Sequence, residues 1–323
     1  MVDCMSIRKY FKNRESYIFL MTIILWVSIS TTNLNFANPR YLLELIGVNS
    51  VYFICALGVL PLMIKGHFDL SIGGMIAFTS VLLSAIGSWF FLPAPLVILI
   101  GAIIGLLVGM LNGALISKFK VSSVVVTLAT MYIFYGVSKY IYNTFTEHFR
   151  IIGEYKIQDY NGIIENMSVL IMALLTYLIL KHTNFGRSVY AFGGDRKLAI
   201  QKGYHESVSI IKAHGYCGLS AGVSAALHLI TFNQNSVDAY LNIEFELIII
   251  VILGGLHILG GYGTVFGTLI ASFFITILKS GLVFARIPVF WHDMMIGAII
   301  ILVIAYGVFK ERYKKRNIKV GET

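Results

Sequence analysis

Ten stretches of this 323-residue chain are long and apolar enough to be read as membrane spans, and that pattern limits what it can fold into. A helix needs about 20 mostly apolar residues to cross a hydrocarbon core. The stretches run roughly 16–34, 42–64, 70–91, 95–117, 121–142, 166–182, 210–231, 244–259, 264–285 and 292–309. Hydrophobic residues make up 57% and charged residues only 13%, about half the charge of a soluble domain. The expected fold class is an all-α integral membrane bundle of about ten helices, forming one transmembrane domain over 1–323. The first stretch follows a basic N-terminus like a signal peptide, but no small-residue cleavage site follows it. It is read as an uncleaved span.

The basic residues set the orientation. Arg8, Lys9, Lys12 and Arg14 precede the first span, Lys65 follows the second, and Lys118 and Lys120 follow the fourth. Lys181, Arg187, Arg196, Lys197, Lys202 and Lys212 lie in or beside the segment 182–209, and Lys310, Arg312, Lys314, Lys315, Arg316 and Lys319 fill the tail 310–323. Placing both termini in the cytoplasm puts all of these on one side. Arg40, Arg150, Lys156 and Arg286 are left outside, and Lys139 and Lys279 sit near outer span ends. A net charge of +9 is therefore topogenic, and no nucleic-acid partner is expected. The outer loop 143–165 is slightly acidic, with Glu147, Glu154, Asp159 and Glu165.

Cys4, Cys55 and Cys217 show no CxxC or Cys/His spacing, so neither a disulfide framework nor a metal site is expected. The chain has no Gly-Lys-Ser or Gly-Lys-Thr, so it carries no Walker A loop and no cofactor is assigned to it. Paired catalytic carboxylates, HExxH and a nucleophile elbow are also missing, which argues against a membrane-embedded enzyme.

Glycines mark the packing. Gly101, Gly105, Gly109 and Gly113 share one helix face, which fits tight helix packing within the subunit or a contact at a subunit interface or pore. Gly254, Gly255, Gly260, Gly261, Gly263 and Gly267 predict a compact hairpin or broken helix facing the cytoplasm. The segments Gly66–Ala77 and Gly260–Ala271 share glycine, glycine, isoleucine and alanine at equal spacing, as a parallel repeat would.

Four motifs carry a resemblance. They are GHFDLSIGG at Gly66–Gly74, VVTLATM at Val125–Met131, TNFGRSVYAFGG at Thr183–Gly194, and VILGG followed by GGYGTVFGTL within Val251–Leu269. In order and spacing the chain resembles the permease subunits of bacterial ABC importers for ribose, xylose, galactose and related monosaccharides. It departs from the family pattern at His67, Phe68, Ala129 and Asp195. The resemblance implies a cell inner-membrane permease that works with a cytoplasmic ABC ATPase, which uses the ATP. It also implies an extracytoplasmic sugar-binding protein and a second permease copy or paralogue, within membrane lipid.

It further implies that 182–209 is a coupling loop with a short helix docking into the ATPase. The core would be Gly193, Gly194, Asp195, Arg196, Lys197, Leu198, Ala199, Ile200, Lys202 and Gly203, with Leu198, Ala199 and Ile200 as an apolar knob. In the Gly66–Gly73 motif, Asp69 and Ser71 are read as capping the third span at its cytoplasmic edge. Asn49, Asn112, Thr127 and His228 are polar groups within spans, either satisfied between helices or lining a pathway. Asp238, Glu244, Glu246, Arg286 and Asp293 are placed on the outer face, as solvated charges or contacts for the binding protein.

Three alternatives stay open. A related ABC permease for branched-chain amino acids differs only in cargo. An ion-coupled secondary transporter would keep carboxylates within its spans, whereas most acids here fall in loops or at span ends. Sugar-like autoinducers are also in the family's range.

Overall fold

The computed structural model describes residues 4–32, 34–90, 92–145, 162–232, 235, 237–257, 260–288, 291–292, 294–295, 297–298 and 301. The tail 310–323, most of the expected tenth span, the acidic stretch 146–161 and Asp293 lie outside the described residues. All regular structure among the described residues is helical: α1 Cys4–Thr32, α2 Pro39–Val48, α3 Ser50–Ile64, α4 Ile72–Trp89, α5 Ala94–Phe119, α6 Ser123–Phe145, α7 Ile163–His182, α8 Asn184–Gly194, α9 Arg196–Gln201, α10 Glu206–Phe232, α11 Ile243–Leu253 and α12 Val265–Phe284. A short 3₁₀ turn, Leu34–Ala37, links α1 to α2.

Five helices, α5, α6, α7, α10 and α12, are long and apolar enough to cross a membrane, and α2 with α3 makes a sixth span bent by 61°. The apolar parts of α1 and α4 are shorter. The eighth expected span, 244–259, appears as α11, a helix of 11 residues. At 1.5 Å per residue it rises about 16 Å, half of a ~30 Å hydrocarbon core.

The chain divides into two packing units, residues 1–276 and 277–323. In the second, Ile287 N–H closes back onto Leu282 and Arg286 takes a left-handed conformation (φ 56°). His292 Nε2 lies 3.1 Å from the Ile287 carbonyl.

In the first unit α10 is the central post, buried over most of its length, while α5, α6 and α7 each turn a broad apolar face outward. Its tightest neighbour is α5, running antiparallel to it. A Cβ built on Gly105 would fall 2.1 Å from the Gly218 carbonyl oxygen, one on Gly109 2.2 Å from that of His214, and one on Gly222 2.0 Å from that of Gly101. At Gly113 the nearest atom is the Ile211 Cα, 2.7 Å away. The glycine stripe of α5 therefore interlocks with Gly218 and Gly222 of α10 inside one subunit, and backbones replace side chains at the contact. On the other side of α10, Phe53, Ile54 and Leu57 of α3 pack with Val169, Met172 and Ala173 of α7 against Tyr216 and Leu227.

Two helix pairs are built alike. At the end of α3, His67 N–H bonds back to the Leu62 carbonyl and Gly66 (φ 87°) makes the left-handed turn. At the end of α11, Leu256 N–H bonds to Val251 and Gly255 (φ 95°) makes it. Both are Schellman closures, and both are followed by irregular chain and another helix. Gly254 and Gly267 touch backbone to backbone where α11 hands over to α12. The expected hairpin is present, closed by His257 N–H on the Tyr262 carbonyl at 3.1 Å.

Candidate functional site

Between α3 and α4 the chain is irregular through residues 67–71, with Asp69 and Ser71 buried in the bundle. Non-helical backbone at such depth has to find its partners within the protein. Phe68 N–H donates to Ser123 Oγ at 3.3 Å, and Leu70 N–H donates to Thr127 Oγ1 at 3.0 Å. Thr127, a suspected pathway residue, thus holds this irregular segment to α6.

Asp69 is only 2% exposed. Its Oδ1 accepts from Ser71 N–H at 2.8 Å and Ser71 O–H at 2.6 Å, and its Oδ2 lies 3.0 Å from His214 Nδ1. Asn112 Nδ2 donates to Ser71 Oγ at 2.8 Å. This corrects the expected capping arrangement. Ser71 is the N-cap residue of α4 but makes no side-chain cap bond, and Asp69 satisfies the amide of Ser71 itself. It also corrects the depth. Asp69 meets α10 at His214, about two turns beyond Glu206, and α5 at the level of Asn112, about two turns before Phe119. A carboxylate this deep persists only when paired and hydrogen-bonded, and His214, entirely buried, supplies the pairing.

A second break faces this one. Residues 237–242 form turns, and α11 begins at Ile243 with Glu244 in its first turn. Glu244, expected on the outer face, is 3% exposed. A Cβ built on Gly73 would fall 2.5 Å from Tyr135 Oη, 2.6 Å from the Tyr240 carbonyl oxygen and 3.3 Å from Glu244 Oε2. Gly73 is the only residue type that lets the start of α4 approach the start of α11 this closely. Tyr135 O–H donates to the Tyr240 carbonyl at 3.3 Å, and Tyr240 Oη lies 2.9 Å from His228 Nδ1. Glu244 Oε2, His214 Nε2, His228 Nε2 and Asn112 Oδ1 are buried without a hydrogen-bond partner among the described residues. Of the acids read as lying in loops or at span ends, Asp69, Glu244 and Glu165 are buried, the last accepting from Thr231 Oγ1 at 2.7 Å.

Of the other suspected pathway residues, Asn49 sits at the bend between α2 and α3, where its Nδ2 donates to the Leu45 carbonyl at 2.9 Å. It caps a broken helix. Asp238 stays exposed, 3.0 Å from Lys139.

The segment 182–209 is helical rather than a loop. Thr183 Oγ1 caps α8 by accepting from Gly186 N–H at 3.0 Å, and Asp195 Oδ1 caps α9 by accepting from Lys197 and Leu198 N–H at 2.8 and 3.1 Å. Arg196 grips Glu206 with two bonds of 2.8 Å, tying α9 to the start of α10. Gly193 is wedged in place, since a Cβ there would fall 2.0 Å from the Ile64 carbonyl oxygen and 2.5 Å from Gly261 N. That same Ile64 carbonyl accepts from Gly261 N–H at 2.8 Å. Gly193, Ile64 and Gly261 thus join α8 to both helix breaks. Gly194 and Gly203 (φ 82°) meet nothing within 4 Å of a built Cβ, and Gly260 (φ 85°) lies against Ile64. Leu198 and Ile200 are exposed, but Ala199 is 1% exposed, so the apolar knob consists of two residues, not three. Beneath α9, Lys65 Nζ donates to the Glu206 carbonyl at 3.2 Å and lies 4.5 Å over the Phe192 ring. Burial pushes the Lys65 ammonium down to about 7, and burial beside Lys65 pushes His67 down to about 4.

The sequence reading missed His214, Gly218 and Gly222. An intramembrane acid such as Asp69 demands a partner, and His214 within an apolar span was the available signal.

A bundle of apolar helices with broken spans and a buried polar centre has the character of a multi-pass membrane permease. Residues 41–304 match the family described as branched-chain amino acid transport system / permease component, and the chain belongs to that family. It is similar to the galactose/methyl galactoside import permease protein MglC of Haemophilus influenzae, 26% identical over 94% of this chain and 96% of that protein. It is 24% identical to MglC of Escherichia coli strain K12, over 94% and 96%. It is 27% identical to the autoinducer 2 import system permease protein LsrC of Shigella flexneri, over 95% of this chain and 90% of that protein. No solved structure matches. The protein is a transport subunit of the bacterial inner membrane.

Proposed function

We propose that this chain is the membrane-spanning subunit of an ATP-driven importer for a monosaccharide or a sugar-like solute. The observation that carries the cargo class is the near full-length similarity to permeases named for galactose and for autoinducer 2. In this reading residues 1–323 act as one transport domain with both termini in the cytoplasm. A separate ATPase hydrolyses the ATP, an extracytoplasmic binding protein delivers the cargo, and a second permease copy or paralogue completes the pathway. Ten membrane segments are retained, the eighth being completed by the turns 237–242 that lead into α11.

The α8–α9 unit is the coupling element. Its exposed Leu198 and Ile200 offer an apolar contact to the ATPase, flanked by Lys197 and Lys202. The bidentate Arg196–Glu206 bond and the Gly193 wedge make it rigid enough to transmit displacement. From Glu206 the push travels along α10 for about 12 Å to His214 and the Asp69 hinge.

The test is uptake into liposomes containing this chain with its ATPase and binding protein. Sugar uptake that requires ATP and survives collapse of ion gradients is expected. Uptake that follows the gradients instead would favour the ion-coupled reading, which the buried Asp69, Glu165 and Glu244 keep specific. Uptake of L-leucine in place of sugars would favour the amino-acid reading, which the family's own description supports. Labelling of single cysteines at 185–205 from the cytoplasmic side only is the expected topology result.

A further inference from the structure

The two helix breaks place two N-termini against each other. The start of α4, at Gly73, lies against Tyr240 and Glu244 at the start of α11. A helix start carries the positive end of the backbone dipole and attracts anions, and transporters with broken helices use such ends to hold charged groups of their cargo. Here the chain's own carboxylates occupy both ends, with Asp69 bonded to Ser71 at the start of α4 and Glu244 in the first turn of α11. The adjacent His214 is already committed to Asp69. No free positive end is left for the carboxylate of an amino acid. What the centre does offer is unused hydrogen-bonding capacity. Among the described residues Glu244 Oε2 and His228 Nε2 are buried without hydrogen-bond partners, on residues 3% and 8% exposed; His228 Nδ1 meets the Tyr240 hydroxyl, and Glu244 lies near the Tyr240 backbone where Gly73 approaches. Groups left so carry a desolvation penalty unless a ligand or water meets them.

We propose that Glu244 is the cargo-reading station of this permease, with His228 at the far end of the Tyr240 side chain. Glu244 Oε2 accepts a hydrogen bond from a hydroxyl group of an uncharged polyol, and the dipole balance at the two helix starts excludes zwitterionic amino acids. The inference rests on the sugar-importer reading above and adds to it the residues that select the cargo.

The experiment uses the complete importer in liposomes, with D-ribose, D-xylose, D-galactose and L-leucine as probes, then the monodeoxy analogues of the best sugar. The same binding protein serves every arm, so any change in discrimination on mutation belongs to this chain. Wild-type importer is expected to disfavour at least one monodeoxy analogue by ~10-fold or more, the weight of one hydrogen bond to a charged acceptor. Glu244→Gln is expected to lower uptake of the parent sugar by a similar factor and to erase that discrimination. Glu244→Asp, which keeps the carboxylate, is expected to retain discrimination, so misfolding in one variant does not decide the matter. If wild type takes up sugar and the Glu244 variants show its unchanged analogue profile, the station is wrong and the importer reading stands. If wild type accepts every monodeoxy analogue equally, the station is wrong as well. If no sugar on the panel enters, or L-leucine enters in their place, both readings fall.

Discussion

Two regions share the helices α5 and α10 and work in opposite ways. Along the seam Gly101–Gly109 against Gly218–Gly222, backbone meets backbone and nothing polar is at stake beyond the helices' own bonds. A turn or two further, at Asn112 and His214, the same pair of helices encloses Asp69 and a set of hydrogen bonds that no helix supplies. The seam tolerates no added volume, and the polar centre tolerates no lost partner. One fixes α5 against α10 so that the other can hold a charge at depth.

Adding volume to the seam is the sharpest way to break it. Gly105→Leu places carbon atoms where the Gly218 carbonyl stands, and no flexible side chain can yield. A loss of folding stability of more than ~3 kcal/mol is expected, seen as loss of a monodisperse peak in size-exclusion chromatography. Gly194→Ala is the control, since its built Cβ meets nothing within 4 Å.

Removing a partner from the polar centre comes next. His214→Leu leaves Asp69 buried and unpaired, with an expected loss of ~3–5 kcal/mol. Adding Asp69→Leu should recover a large part of it. A double variant less stable in thermal unfolding than His214→Leu alone would show that the pair holds no compensated charge.

The lever should respond more mildly. Asp195→Ala removes the cap of α9, an expected ~1 kcal/mol of local helix stability. Hydrogen exchange of α9 amides should rise, and cargo-stimulated ATP hydrolysis should fall, while the thermal midpoint stays within a few degrees.

The last effect concerns pH. Burial lowers Lys65 from 10.5 to about 7, so the fold releases a proton between those values and gains stability as pH rises from 7 toward 10.5. Lys65→Met removes the slope. Its thermal midpoint should exceed the parent's most at pH 7 and converge on it by pH 10, and a constant difference would contradict the burial of a charged ammonium.

Much of the seam was legible beforehand. Glycine at four-residue spacing in an apolar run declares a close-contact face whatever it meets, and its partner glycines at 218 and 222 were in view but unassigned. That 182–209 would carry a short helix was legible through its resemblance, while its two caps and the burial of Ala199 depend on what α8 and α9 rest upon. The polar centre was not legible. Asp69 read as an edge residue because hydropathy reports where apolar runs stop, and the chain stops being helical well before it leaves the bundle. Glu244 read as a loop acid for the same reason, since α11 starts inside.

The sequence alone determined that the chain is a helical membrane protein, because burying so much apolar surface and excluding charge from it are requirements each segment meets by itself. Only the tertiary structure decided which acids are interior, which glycines pair and where the two broken helices meet. Those facts depend on residues far apart in the chain, such as Asp69 with His214 and Gly73 with Glu244, whose juxtaposition no local spacing encodes.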